Sequence, residues 1–375
     1  MDARLFDPDV CPRLVVKIGS SLLVAPDGRV RREWLAGLLA ELVERRTAGQ
    51  QVLIVSSGAV ALGARRLKFP KGGRASLEDA QAAAAVGQIE LAQTYADLLA
   101  QHDVQAAQLL LTLDDLEDRR RYLNVTATVG RLLEAGAMPV INENDSVATA
   151  EIRFGDNDRL AARVGQAVEA SGVILFSDID GFYTADPRHD PTATRLAAVA
   201  AITPEIEAQA GGAGASGMGS GGMAAKLKAA RIAIGGGCHL AIATGHVERP
   251  LVHFRAGGTG TVFVATGTPL AARKRWLAGR ITVAGALTVD DGAVRALREG
   301  RSLLAAGVTA CTGAFARGDV LDVRSADGTL IARGLASYDA DEVQRIRGCK
   351  SADIAALLGY APRAAVIHRD SLVLL

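Results

Sequence analysis

The sequence predicts an α/β protein, with a mainly parallel sheet covered by helices on both faces, followed by a small β-rich domain. Three observations lead there. From residue 14 to about 265, short β-branched apolar runs alternate with longer helical segments, and continuous apolar strands separated by helices belong to parallel sheets buried on both faces. Beyond Trp276 the pattern changes to short strands with turn signals such as Asp327-Gly328. The chain has 375 residues, 49% of them hydrophobic, which is enough for two domains, each with its own core.

In the first part the candidate strands are Leu14–Ile18, Val52–Ser56, Ala137–Ile141, Val173–Phe176, His239–Ala243 and Thr261–Val264. Between them lie the helix-like stretches Arg32–Arg46, Leu77–Ala100, Arg119–Glu134, Arg159–Ala170 and Met223–Ile234. In the second part Ile281–Val283, Ala286–Val289, Val320–Val323 and Leu330–Ala332 read as strands, and Asp291–Glu299 and Ala340–Ile346 as helices. A short connector, Pro269–Trp276, carries Arg273, Lys274 and Arg275. The expected organisation is therefore 1–268, a linker at 269–277, and 278–375.

The charge balance is +1, from 42 basic and 41 acidic residues, which excludes a global basic field for nucleic acid or anionic membrane. Residues 277–375 alone hold twelve basic and eleven acidic side chains, so no basic stripe marks the second domain either. Apolar stretches are interrupted well before the ~20 residues a membrane span needs. Met1-Asp2-Ala3-Arg4 does not open a leader segment. Cys11, Cys238, Cys311 and Cys349 are scattered without metal-ligand or disulfide-framework spacing. A soluble cytoplasmic protein is the expectation. Only seven of the 42 basic residues are lysine, so a lysine within apolar or glycine-rich sequence stands out.

Ligands of open α/β sheets bind beyond the carboxyl ends of the strands. The first strand ends VVKIGSS, with Lys17 after two valines. The lysine either reaches solvent at the strand edge or meets an anion, and its rarity favours the anion. The second strand ends IVSSGAVALG, where Ser57-Gly58-Ala59 is either a plain turn or a set of N–H groups and a hydroxyl at a helix N-terminus. The third ends VINENDSVAT, gathering Asn142, Glu143, Asn144 and Asp145; these build a turn, and they also offer acceptors for an amino-acid ammonium group. Asp156, Asn157 and Asp158 then open a helix, where capping accounts for one or two of the three. The fourth strand ends at Ser177-Asp178, before the turn through Asp180-Gly181.

The stretch 211–222 is the sharpest composition shift in the chain. Gly217, Gly219 and Gly222 fit G-x-G-x-x-G, but the stretch follows a helical segment and no acidic residue ends the next strand, so the dinucleotide fingerprint fails. What remains is SGMGSGGMAAK, glycines followed by a helix with Lys226 in its first turn. This is a flexible linker or a phosphate cradle, and the amphipathic helix that follows directly favours the cradle.

Taken together, VVKIGSS, IVSSGAVALG, AAVGQ at 84–88, LLLT at 109–112, PVINENDSVATAEIRFGDND, FYTADP, SGMGSGGMAAK and LLGYAP resemble the glutamate 5-kinases. That family belongs to the amino acid kinase superfamily and carries a C-terminal PUA domain. The resemblance runs in order over nearly the whole chain. It implies the three-layer αβα amino acid kinase fold, and phosphorylation of the L-glutamate side chain by ATP with Mg2+ in the first step of proline biosynthesis. Proline as feedback inhibitor and a homo-oligomer are implied as well.

Residue by residue, the resemblance puts Lys17 on the phosphoryl oxygens near the transferred group. It puts Ser57, Asp145 and Asn157 on glutamate. Ser177, Asp178, Ser220, Gly221, Gly222, Met223, Ala224, Ala225 and Lys226 fall on ATP, with Lys17 and Lys226 catalytic and Asp158 orienting both. No protein ligand for the metal is implied, since Mg2+ rides on the ATP phosphates. The family has Thr where this chain has Ser177 and Ala225; the second difference removes a hydroxyl from the nucleotide side. A carboxylate is already a nucleophile at neutral pH, so no strong base is required and catalysis rests on positioning and charge. The alternatives are another amino acid kinase, acting on N-acetylglutamate or aspartate, and an RNA-binding PUA protein, which the balanced charge of 277–375 argues against.

Overall fold

The computed structural model describes residues 2–147, 157–185, 187, 190–210, 222–278, 283–360, 363 and 365–375. Contacts divide the chain into two units, Met1–Pro269 and Leu270–Leu375. The first unit contains β1 (Arg13–Ile18), β2 (Gln51–Val55), β3 (Ala106–Leu111), β4 (Met138–Glu143), β5 (Gly172–Ser177), β6 (Phe182–Tyr183), β7 (Arg195–Leu196), β8 (Ala198–Val199), β9 (His239–Thr244) and β10 (Gly260–Phe263). Eight of these form one sheet in the order β3-β4-β2-β1-β5-β9-β10-β8, and β6 and β7 form a separate ribbon. Within the large sheet every neighbouring pair is parallel except β9 and β10.

The central strand β1 sets Val15 beside Leu53 of β2 and Val173 of β5. Side chains alternate across a strand, and the two faces of β1 enter two different cores. Leu14, Val16 and Ile18 pack with Leu35, Leu38 and Leu42 of the helix Arg32–Thr47 and with Tyr95 and Leu98 of the helix Leu77–Ala100. Val15 packs on the other face, with Leu160 and Val164 of the helix Asn157–Ala167 and Leu227 and Ala230 of the helix Met223–Gly235. Lys17, two residues beyond Val15, shares this second face. Sequence parity alone therefore aims its ammonium at those two helices.

The long helix Leu77–Ala100 starts where Ser76 accepts from the Asp79 amide at 3.1 Å, with Glu78 and Asp79 in its first turn. It crosses the helix Ala59–Arg66 at two glycines. A Cβ on Gly63 would overlap the Ala83 carbonyl, and one on Gly87 would overlap the Ala59 carbonyl. The two helices thus touch backbone to backbone.

The second unit holds β11 (Gly285–Val289), β12 (Val308–Thr312), β13 (Val320–Ser325), β14 (Leu330–Leu335) and β15 (Leu372–Leu374), ordered β12-β11-β13-β14-β15. Its own core gathers Leu287, Leu321, Val323, Tyr338 and Ile346. Asp290 caps the helix Asp291–Arg298, and a reciprocal Asp339–Glu342 capping box starts the helix Ala340–Ile346.

Where the sequence placed strands and helices, described elements stand within a few residues of the expected bounds. Of Ile281–Val283, residues 281 and 282 lie outside the described residues. The stretch read as a linker at 269–277 is helical, Pro269–Ala278, and proline suits a first helical turn. The sequence reading placed no strand at β3, whose residues AAQLLL contain no β-branched side chain and mostly stay half-exposed at the sheet edge. The short strands β6, β7, β8, β12 and β15 likewise fall outside the strands expected from the sequence. Among the described residues no helix is long and apolar enough to cross a membrane.

Candidate active site

The carboxyl ends of β1, β2, β4 and β5 bring the expected residues together. At the centre is Asp158, 2% exposed, in the first turn of the helix Asn157–Ala167. Lys17 Nζ lies 2.7 Å from its Oδ1 and Lys226 Nζ 2.8 Å from its Oδ2. Both lysines are buried as well. Burial alone would raise the Asp158 carboxyl; the two ammonium groups and the hydrogen bonds they donate outweigh it and hold the carboxyl well below the usual carboxylate range. Asp158 thus counters two cations at once in a buried site, and the Asp178 carboxyl also feels the charge of Lys226. Such a buried cluster adds little net stability by itself.

The residue before Asp158 faces a different set of partners. Asn157 Nδ2 donates to Ser57 Oγ at 2.9 Å and to Asn142 Oδ1 at 3.2 Å. Asn142 Nδ2 donates to Gln88 Oε1 at 2.7 Å, and the Glu143 backbone N–H donates to Asn142 Oδ1 at 2.9 Å. Ser57 is placed by the turn into the helix Ala59–Arg66, where Gly58 adopts φ +97°, a left-handed backbone that favours glycine. Beneath that turn Ser56 Oγ meets the hydroxyl of the fully buried Tyr95 at 3.0 Å.

Asp145 follows β4 and lines a cavity of about 300 Å³ with Ala59, Ala84, Gln88 and Glu143. Its Oδ1 is buried and has no hydrogen-bond partner among the described residues. Burial pushes its carboxyl up to about 6, against the opposing pull of Arg74.

At the end of β5, Ser177 Oγ donates to Asp178 Oδ1 at 2.9 Å. Burial raises the Asp178 carboxyl, but the Ser177 hydroxyl and the charge of Lys226 leave it lowered overall. Gly222 precedes the helix Met223–Gly235, and Met223, Ala224 and Ala225 form the first turn that delivers Lys226. Ser220 and Gly221, with the rest of 211–221, lie outside the described residues, as does Asp156. The sequence reading assigned no role to Gln88, Tyr95 or Arg74. Gln88 belongs to the stretch AAVGQ, but it sits in mid-helix rather than after a strand.

Residues 12–244 match the amino acid kinase family model and residues 285–358 the PUA domain model. Fold and site thus define an amino acid kinase unit followed by a PUA domain. Over 373 residues the chain is 60% identical to the glutamate 5-kinase of Novosphingobium aromaticivorans, covering 100% of this chain and 98% of that one. It is 58% identical over 374 residues to the glutamate 5-kinase of Zymomonas mobilis, with 100% and 94% covered. For that of Sphingopyxis alaskensis the identity is 59% over 371 residues, with 99% and 100% covered. The chain belongs to the glutamate 5-kinase family.

Proposed function

We propose that the chain transfers the γ-phosphoryl group of ATP to the γ-carboxylate of L-glutamate, giving L-glutamyl 5-phosphate, the first intermediate of proline biosynthesis. The observation that carries this reading is the join at Asn157-Asp158. One residue holds two buried lysines and the next holds a neutral hydrogen-bonding network, so a phosphoryl site and a polar substrate site share one helical turn.

In this reading ATP enters as its Mg2+ complex. Both oxygens of Asp158 face ammonium groups, which favours a cation held by the ATP phosphates over one held by this carboxylate. The γ-carboxylate attacks in line without a general base. Lys17 and Lys226 neutralise charge on the transferring group, and Asp158 fixes their separation. Ser57, Asn157 and Asp145 hold glutamate. Gly222 to Ala225, Ser177 and Asp178 flank the nucleotide, together with Ser220 and Gly221. Cytoplasmic location, homo-oligomerisation and competition by proline at the glutamate site are part of the same reading, supported by the family.

ADP release measured with free glutamate, N-acetylglutamate and aspartate tests the substrate, and glutamate is expected to lead; a preference for either of the others overturns it. Glutamate saturation curves unchanged by millimolar proline would remove the inhibitor from the scheme. Retention of RNA on a filter at moderate salt would instead support a nucleic-acid role for the PUA unit.

A further inference from the structure

One backbone group fixes the direction of the amide network. The Glu143 N–H can only donate, and it donates to the Asn142 side chain, so the accepting atom is Oδ1 and the other end of that amide is the donor. The atom of Gln88 that receives Asn142 Nδ2 is then Oε1. The same logic makes the Asn157 atom at Asn142 Oδ1 its Nδ2. Asn157 Oδ1 is left buried without a hydrogen-bond partner among the described residues. Three amides are thus aligned head to tail, with an acceptor end at Asn157 Oδ1 and a donor end at Gln88 Nε2. The Gln88 side chain makes no second hydrogen bond among the described residues. It lines the same cavity as Asp145, beside the small walls of Ala59, Ala84 and Ala85.

We infer that Gln88 Nε2 donates to the α-carboxylate of the bound amino acid while Asp145 accepts from its ammonium group, so that Gln88 selects substrates with a free α-carboxylate. The inference rests on the glutamate reading above. A donor aimed at a charged acceptor makes a strong hydrogen bond. A substrate whose α-carboxylate is replaced by an amide offers only a neutral acceptor.

Gln88→Glu tests this in the full-length chain. It keeps the shape and the acceptor for Asn142 Nδ2 but turns the other end of the side chain from donor to acceptor. Steady-state kinetics are compared for L-glutamate and its α-amide. The KM for glutamate should rise roughly tenfold or more, and the KM for ATP should stay within about twofold. The preference for glutamate over the α-amide should fall by at least the same factor. Gln88→Ala, at a half-buried site in an alanine-rich helix, should show the same rise for glutamate and serves if the Glu variant does not fold. A glutamate KM within about twofold of the unaltered chain in the folded variants overturns the inference, and so do equal losses on both substrates in Gln88→Glu. If the unaltered chain phosphorylates neither compound, the glutamate reading fails first and takes the inference with it, a result seen before any substitution is made.

Discussion

The two halves of the site, separated by one peptide bond, solve the burial of polar groups in opposite ways. On the Asp158 side, charge does the work: two ammonium groups and a carboxylate are held at 2.7 and 2.8 Å in a nearly dry site. On the Asn157 side, described contacts are made by neutral amides and hydroxyls whose donors and acceptors are ordered in one direction. A charged cluster binds anything of the right sign and gains strength as water leaves. An ordered amide network contributes less energy but discriminates by the placement of each donor. On the proposed function, the difference matches what each half would recognise, a phosphoryl group whose charge spreads during transfer and an amino acid whose identity must be read.

Substitutions should separate the halves, and the largest effects belong to the charged one. Lys226→Ala and Lys17→Ala should each lower kcat by on the order of 10²–10³ while circular dichroism still reports a folded chain. Arginine should rescue neither, because a planar fork does not replace a compact ammonium. The double variant should fall short of the product of the single effects, since both lysines act on one transition state. Near-normal kcat in either alanine variant would remove that lysine from the charged half.

Asp158→Asn should act on stability as well as rate. It removes the counter-charge that Asp158 gives two buried ammonium groups, and breaking a buried pair in this way costs about 3–5 kcal/mol. Denaturant unfolding reads this directly, and saturating ATP should restore part of the loss by binding the folded state. An unchanged midpoint would mean the lysines turn to other partners at no cost.

The neutral half should respond to pH. With its carboxyl pushed up to about 6, Asp145 becomes protonated below that pH and loses its hold on an ammonium. The KM for glutamate should therefore rise by roughly tenfold per unit as pH falls below about 6, while the KM for ATP does not follow it. Asp145→Asn should flatten that rise. The smallest effect expected is that of Tyr95→Phe, which removes the hydroxyl under Ser56. At about 1 kcal/mol for one hydrogen bond, it should raise the glutamate KM several-fold and spare kcat; an equal effect on ATP would place Tyr95 outside the substrate half.

The charged half was more legible in the sequence than the neutral one. Lys17 and Lys226 stood out because lysine is scarce in this chain, and the excess of polar residues around Asp158 exceeded what a helix cap needs. Parity counted from Val15 gives the face of β1 that Lys17 shares, and the structure shows that the helix carrying Lys226 covers that face. In the neutral half Ser57, Asp145 and Asn157 are named by resemblance, but the network that joins Ser57 and Asn157 runs on to Gln88, which rises from mid-helix where no strand end marks it. Tyr95 reads as one more core aromatic until its hydroxyl is seen against Ser56. The edge strand β3 escaped for a related reason: its leucines fit a helix as readily as a strand, and pairing with β4 decides between them.

The glycine crossing between the helices Ala59–Arg66 and Leu77–Ala100 ties these substrate-side groups together mechanically. Because Gly63 and Gly87 leave no room even for a methyl group between the backbones, neither helix can slide or roll without forcing the other to follow. The turn presenting Ser57 at the head of one and the Gln88 side chain next to Gly87 on the other are thus carried on a single rigid strut. The reach between them behaves as a fixed calliper setting, and a change in the length of acceptable substrate would require recutting that joint rather than exchanging a residue at either jaw.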